Sequence, residues 1–360
     1  MKPKPPCLLT IFLLFSLTLY SQPPSGYYDP ATGLSGTALK QALHNIIRNH
    51  TVISYTPGVW QAFYTTDRKP DNTVWDIYSD IPNGTPPYVY QLGSDQCGNA
   101  SQEGDCYSRE HSWPKSWFGG EVTPMFTDLF ILYPVDQYVN GRRSDYPYGE
   151  VGQADWTSLN GSKLGNAVNP GYSEKVFEPR DEYKGDLART YFYFSVRYYG
   201  EDAGWPGSPM ANGSQLTTWA LDLMKEWHRN DPVSTKEINR NNAVYTIQNN
   251  RNPFIDHPEY AAAIWGGSSG INNPAETTAE LKPWPNPATS SCTITLPAAS
   301  LSDHLLVSLS TATGRKIPVG SIITNNTLQM NLEALVPGIY FFTIATEKDP
   351  VVYHGKVIRQ

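Results

Sequence analysis

The run Gly266-Gly267-Ser268-Ser269-Gly270-Ile271-Asn272-Asn273-Pro274, continuing through Ala275-Glu276-Thr277-Thr278, constrains this chain more than any other stretch. Small, polar and rich in glycine and proline, it offers too little apolar surface to join a core and reads as a linker. The 360 residues therefore divide into two parts, each of which must bury its own hydrophobic face. With 39% apolar and 12% aromatic residues, wholesale disorder is excluded. Before the linker, Leu39, Ala42, Leu43, Ile46 and Ile47 recur at helical spacing between Gly36 and His50. Leu216, Trp219, Ala220, Leu223, Met224 and Trp227 form a second helical stripe, read as core, between Gln215 and Asn230. Val52 to Tyr64 and Val74 to Tyr78 read as strands, and residues 82–87 as a loop. Asp186 to Tyr199 fits either helix or strand. After the linker, Thr293 to Leu296, Leu305 to Leu309 and Ile339 to Ile344 alternate in short segments, with turn signals at Thr313-Gly314 and Pro337-Gly338, as in a small β-sandwich.

The first residues read as an export signal. Lys2 and Lys4 precede an apolar run from Cys7 to Tyr20, which is shorter than the ~20 residues a membrane-spanning helix needs. Cleavage is expected near Ser21-Gln22, and no later segment is apolar enough to insert in a membrane. Cys7 leaves with the signal and Cys292 stands alone. Cys97 and Cys106 are close enough for a small loop disulfide in an oxidising compartment, two unpaired thiols being the alternative. A zinc-thiolate site is disfavoured, since no second Cys or His pair stands at zinc spacing.

One block is dense in reactive groups: Cys106-Tyr107-Ser108-Arg109-Glu110-His111-Ser112-Trp113-Pro114-Lys115-Ser116-Trp117. Thr127-Asp128-Leu129, Tyr133-Pro134-Val135-Asp136 and Val139-Asn140-Gly141-Arg142-Arg143-Ser144 follow it. Further on come Leu187-Ala188-Arg189-Thr190-Tyr191-Phe192-Tyr193 and Asn252-Pro253-Phe254-Ile255-Asp256-His257-Pro258. Together they resemble the bacterial secreted endonuclease I family, metal-dependent DNases with a ββα-metal (His-Me finger) active site, over most of Tyr27 to Trp265. Trp284-Pro285-Asn286-Pro287-Ala288, Ser308 to Arg315 and Pro337-Gly338-Ile339-Tyr340 resemble, in order and spacing, a type IX secretion sorting domain. The resemblance implies an α+β nuclease followed by a β-sandwich. Residues 1–21 are then the signal, 22–265 the nuclease domain, 266–283 the linker and 284–360 the sorting domain.

The resemblance also assigns roles. His111 becomes the general base, a task its ordinary pKa near ~6.5 suits. In isolation, a His beside Trp and Pro is more often structural. Glu110 and Asn140 become the oxygen ligands of Mg2+, with Mn2+ or Ca2+ as alternatives. Without that context, Glu110 is a surface carboxylate paired with Arg109, and Asn-Gly is a turn. Adjacent strand residues point to opposite faces, so Glu110 and His111 share a site only where the backbone bends. Asp128 is read as ordering water around the metal, or equally as an acidic residue at a helix start. Arg143 is expected to hold a phosphate oxygen in a catalytic role. Arg109, Arg142 and Arg189 are expected to contact substrate, a buried salt bridge being an equal reading of Arg189. Asp256 and His257 mark a closing turn rather than a second catalytic pair. Family members commonly carry His after the Asp-Leu step, where this chain has Phe130 and Ile131, so a polar contributor is missing.

Net charge is −7, and between Gln22 and Pro283 there are 20 Lys and Arg against 30 Asp and Glu. Repulsion of a phosphate backbone is countered only where cations cluster, and Arg109, Lys115, Arg142 and Arg143 do so beside the key blocks. The expected activity is hydrolysis of DNA, with RNA as a second substrate, by an exported monomer sorted by the type IX machinery. The rival readings are an adhesin or carbohydrate-binding surface protein, a glycosidase with paired carboxylates, and a degenerate nuclease that binds DNA without cutting. No motif singles out a carboxylate pair.

Overall fold

Leu39, Leu43 and Ile47 stand four residues apart and are buried along α1 (Gly36–Ile47), as their spacing anticipates. The computed structural model describes residues 23–266, 279–296, 305–311, 316–317, 319–324, 326–346 and 353–360. The expected signal peptide, most of the linker and the Thr313-Gly314 turn lie outside the described residues. The chain forms two compact units, one ending at Trp265 and the other starting at Gly266.

In the first unit, α2 (Trp60–Thr66) replaces part of the strand expected over Val52 to Tyr64. Val59 and Phe63, one helical turn apart, are fully buried and outweigh the strand propensity of the local composition. Val74 to Tyr78 also forms no strand. The Asp76 carboxylate accepts from the Tyr78 amide at 2.7 Å and turns the chain there. β1 (Tyr107–His111) pairs antiparallel with β2 (Leu132–Asp136), and α3 (Gln137–Arg143) follows without a break. Asp136 ends the strand and caps the helix, accepting from the Val139 amide at 2.8 Å. The long connection between β1 and β2 is packed, with Trp113, Trp117, Phe118, Phe126 and Ile131 all in the core.

A three-stranded antiparallel sheet follows, β3 (Val151–Thr157), β4 (Lys163–Ala167) and β5 (Lys175–Glu178) in that order. The ambiguous segment is a helix, α4 (Lys184–Arg197), with every residue buried. A helix enclosed on all sides loses the amphipathic period that identifies a surface helix. Around it lie α5 (Thr218–Asn230) and α6 (Thr235–Gln248). Ala220, Leu223, Met224 and Trp227 of the expected stripe are buried, while Trp219 is half-exposed and stacks on Tyr172. α6 starts at a Ser234/Glu237 capping box and ends at Asn249 in the left-handed conformation. Two short helices, α7 (Pro253–Asp256) and α8 (Tyr260–Trp265), complete the unit.

The second unit is built from strands. One sheet holds β6 (Leu305–Thr311) between β7 (Lys316–Ile317) and β8 (Gly338–Thr346), extended by β9 (Tyr353–Arg359) and a short parallel strand at residues 279–280. The other places β10 (Thr327–Asn331) between β11 (Gly320–Thr324) and β12 (Ser291–Thr295). Cys292, Ile294, Leu309, Leu328, Met330, Tyr340, Phe342 and Val357 form one core from the two sheets, as in a sandwich. The Cys292 thiol is buried and free. No helix among the described residues is long and apolar enough to cross a membrane.

Candidate active site

The site grows from the alternation of side chains along β1. Ser108 and Glu110 project to one face, Arg109 and His111 to the other. Pairing with β2 runs in regular register from Tyr107↔Asp136 to His111↔Leu132, so no bulge in the pairing brings Glu110 and His111 to one face.

On the first face the Glu110 carboxylate is almost fully enclosed. Its Oε1 accepts from Arg143 Nη1 at 2.8 Å and from the Tyr78 hydroxyl at 3.1 Å. Tyr78 in turn lies 2.8 Å from the Tyr148 hydroxyl. Desolvation raises the Glu110 pKa, opposed by the Arg143 charge and the Tyr78 hydrogen bond. Among the described residues no side chain donates to Oε2, and the His111 amide also acts on this carboxylate. Asn140, on α3, donates from Nδ2 to Ser108 Oγ at 3.1 Å, which brings it to the face of β1 that carries Glu110. This hydrogen bond orients the amide, and among the described residues nothing donates to Oδ1.

On the second face, His111 Nε2 lies 3.0 Å from the Phe126 carbonyl. A carbonyl only accepts, so Nε2 carries the proton and the lone pair of the neutral ring sits on Nδ1. The imidazole stacks on Phe126, with centroids 5.1 Å apart, and Tyr55 stacks at 5.9 Å. Burial in this aromatic nest, opposed by the Phe126 hydrogen bond, lowers the pKa from 6.5 to about 4. The ordinary value expected from sequence does not hold, because desolvation disfavours the cation. Nδ1 has no hydrogen-bond partner among the described residues and is not sealed off.

Several expected contacts fall elsewhere. Arg143 is fully buried and cannot reach a phosphate from this position. Besides Glu110 it donates to the His111 and Ser112 carbonyls, at 3.0 and 2.7 Å, and stacks over Tyr148. It is therefore a positioning residue for Glu110. Arg189 is fully buried as well, paired with Glu237, so the salt-bridge reading holds and substrate contact does not. Asp128 orders no water around a metal, because protein donors occupy both its oxygens. Tyr193 and Tyr198 reach Oδ2 at 2.9 and 3.0 Å, and Gln248 and the Phe130 amide reach Oδ1 at 3.1 Å. The Phe130 ring packs on Tyr193 in the core, so the position points inward whatever residue family members carry there. Asp256 is held by Arg251 and Tyr28, while His257 pairs with Glu259. Cys97 and Cys106 are bridged, with a Cα–Cα distance of 5.8 Å, and β1 starts at the next residue.

Arg109 and Arg142 stay within reach of solvent. Arg109 is half-buried over the Tyr55 and Trp60 rings, at 3.5 and 4.4 Å, and donates to the Thr56 hydroxyl at 2.8 Å. Arg142 is exposed over Tyr138 and Trp156. Sequence reasoning missed Tyr55, Tyr78, Phe126, Tyr148 and Ser108. Only Ser108, two residues from Glu110, carried a signal, through strand alternation.

Two oxygens to which no side chain among the described residues donates, one anionic and one amide, suit a hard divalent cation that keeps most of its water. Among the described residues no three His, Cys, Asp or Glu side chains converge as a metal site. The residues present thus fit the group that the sequence resemblance implies.

A hairpin running directly into a helix, with a buried histidine and, beside it, a carboxylate to whose second oxygen no side chain donates, has the form of a ββα hydrolase unit. The Endonuclease I family model matches residues 35–259, and the chain belongs to that family. It is accordingly a hydrolase of phosphodiester bonds. Residues 282–359 match the secretion system C-terminal sorting domain, which places the protein outside the cell or at its surface. A protein of Bacillus amyloliquefaciens named "Extracellular ribonuclease" is 41% identical over 246 residues, covering 66% of this chain and 78% of its own. Its namesake in Bacillus subtilis is 38% identical with the same coverage. "Endonuclease-1" of Buchnera aphidicola is 30% identical over 129 residues, 36% of this chain and 46% of that one.

Proposed function

We propose that the protein is an exported, metal-dependent endonuclease that hydrolyses DNA and RNA with little base preference. His111 is its general base, and Glu110 with Asn140 holds one Mg2+, for which Mn2+ or Ca2+ can substitute. The observation that carries this reading is the His111 ring. Its tautomer is set by the Phe126 carbonyl, burial favours its neutral form, and among the described residues Nδ1 has no partner, one residue from a carboxylate to whose Oε2 no side chain donates.

In the reaction, Nδ1 takes a proton from water as the water oxygen bonds to phosphorus and the bond to the 3′-oxygen breaks; the departing oxygen takes a proton from solvent, giving a 3′-hydroxyl and a 5′-phosphate. The Phe126 carbonyl steadies the imidazolium that forms, since Nε2–H already points at it. The negative charge of the arriving phosphate favours the imidazolium and so raises the basicity of the ring. When bound, the divalent cation neutralises charge building on the phosphate and the departing oxygen. Arg143 and Tyr78 hold the Glu110 carboxylate in place, and Ser108 holds the Asn140 amide. Attack by water needs no 2′-hydroxyl, so both sugars are acceptable, and the ribonuclease names of the Bacillus relatives favour RNA among the substrates. Low base preference is expected of contacts to the sugar-phosphate backbone, which carry no base information, and of stacking, which every base accepts.

The test is cleavage of supercoiled plasmid and of single-stranded RNA by the full chain, with Mg2+, with EDTA, and by His111→Ala. Cutting that requires both metal and His111 is expected. Cutting that survives His111→Ala would assign the base elsewhere. No cutting by folded protein in any divalent metal would remove the nuclease reading.

A further inference from the structure

A protein of net charge −7 can hold a polyanion only with cations that its own carboxylates have not neutralised. Among the described residues of the first unit, most Lys and Arg lie within an ion pair. Those that do not are Lys40, Arg68, Arg109, Arg142 and Arg229. Lys40 is buried, and its ammonium donates to Ser195 and Gln215. Arg68 and Arg229 are exposed and rest on no aromatic ring. Arg109 and Arg142 each rest on two. One stands a single residue before Glu110, the other two residues after Asn140.

We infer that Arg142, Tyr138 and Trp156 form a nucleotide-binding subsite beside the catalytic hairpin, which takes a phosphate on the guanidinium and stacks a base on the Trp156 indole. This rests on the nuclease reading and deepens it. Tyr138 and Arg142 stand four residues apart on one face of α3, and Arg142 Nη2 donates to the Tyr138 hydroxyl at 2.5 Å. The Tyr138 and Trp156 rings meet edge-on at 6.4 Å. Trp156 is aimed at α3 by β3, whose register against β4 shifts twice, between Val151 and Ala154 and again between Ala154 and Trp156. Such bulges turn side chains out of the sheet alternation. Aromatic rings thus fix the guanidinium where a carboxylate otherwise would, and its charge stays available. Arg109 on Tyr55 and Trp60 repeats the device on the His111 face.

The experiment uses the full-length protein in EDTA and a labelled 12-nucleotide single strand, read by fluorescence anisotropy at several salt concentrations, followed by steady-state cleavage in Mg2+. Arg142→Met should weaken binding roughly five- to tenfold and reduce the slope of log K against log salt by about one, as loss of one phosphate contact requires. Trp156→Ala should weaken binding at least about fivefold with the slope unchanged, and Trp156→Phe should restore most of it. In cleavage, both losses should appear in KM rather than kcat. Arg229→Met, an equally unpaired and exposed arginine, is the control and should bind within about twofold of wild type. The subsite is refuted if Arg142→Met matches Arg229→Met, or if Trp156→Phe binds no better than Trp156→Ala. If wild type binds as described but never cuts, the nuclease reading fails and the subsite stands.

Discussion

Replacing Arg143 by methionine tests whether Glu110 is held as the structure describes. The two side chains are 1% and 4% exposed, so solvent screens their 2.8 Å ion pair hardly at all. Removing one partner of a buried pair leaves the other charge uncompensated and typically costs ~3–5 kcal/mol. The His111 carbonyl also loses its Arg143 donor, whereas the Ser112 carbonyl keeps the Tyr191 hydroxyl at 2.8 Å. An unmet buried acceptor adds on the order of 1 kcal/mol. The expected loss is therefore about 4–6 kcal/mol, and the Arg143→Met/Glu110→Gln double variant should recover part of it. Urea unfolding followed by tryptophan fluorescence reads this unit cleanly, because of ten tryptophans only Trp284 lies in the other. Arg143→Lys keeps the charge but cannot span Glu110 and two carbonyls, so it should fold with less loss and still cut at least about tenfold more slowly. An Arg143→Met cost below ~1 kcal/mol, or a double variant no more stable than the single, would refute the argument.

Four further outcomes are expected. Ser108→Ala should raise the Mg2+ concentration for half-maximal cleavage roughly tenfold, as loss of an outer partner of a ligand does, with little change in unfolding midpoint. Because burial depresses the His111 pKa to about 4, kcat/KM should show no acid limb from this group above about pH 5, and should fall as pH drops through about 4. Burial and the Arg189 charge likewise hold His228 at about 4. Its depressed folded-state value gives stability that is present above the unfolded pKa of ~6.5 and lost as pH falls through about 4, and His228→Gln should flatten that part of the stability curve. Cys97→Ser/Cys106→Ser opens a loop of sequence separation 9, for which chain entropy predicts a loss of about 2–3 kcal/mol, read by urea unfolding.

How much was legible in the sequence varied with how local the cause was. α1 and α5 were plain because each buries one stripe against the core. α4 was not, since enclosure on every side erases the period that separates helix from strand. Val52 to Tyr64 looked like a strand because it is rich in β-branched and aromatic residues, and its folding as a turn and α2 depends on distant packing. Within the site, the order of Glu110, His111 and Asn140 could be read from motif blocks. The burial of Arg143 and Arg189 could not, since guanidinium groups are ordinarily exposed and only tertiary partners such as Glu110 and Glu237 make enclosure tolerable. Nor could the aromatic nest of His111, which brings Tyr55 and Phe126 together from separate parts of the chain.

The straight run of β1 through His111 removes a difficulty that the sequence raised. A base and a metal-holding carboxylate on consecutive strand residues point apart, and a bend seemed necessary to reunite them. In-line displacement asks for the opposite: the attacking water and the departing oxygen lie on opposite sides of phosphorus, so the group that takes the proton and the group that neutralises the leaving oxygen should be separated. Strand alternation supplies that separation from neighbouring residues without strain. It also divides the electrostatics. The Glu110 face holds its anion with Arg143 and Tyr78, whereas the His111 face is aromatic and keeps its ring neutral. Had both side chains shared a face, the carboxylate would favour the imidazolium over the neutral ring. On the proposed reading, the regular strand is therefore what allows one peptide step to carry both halves of the chemistry.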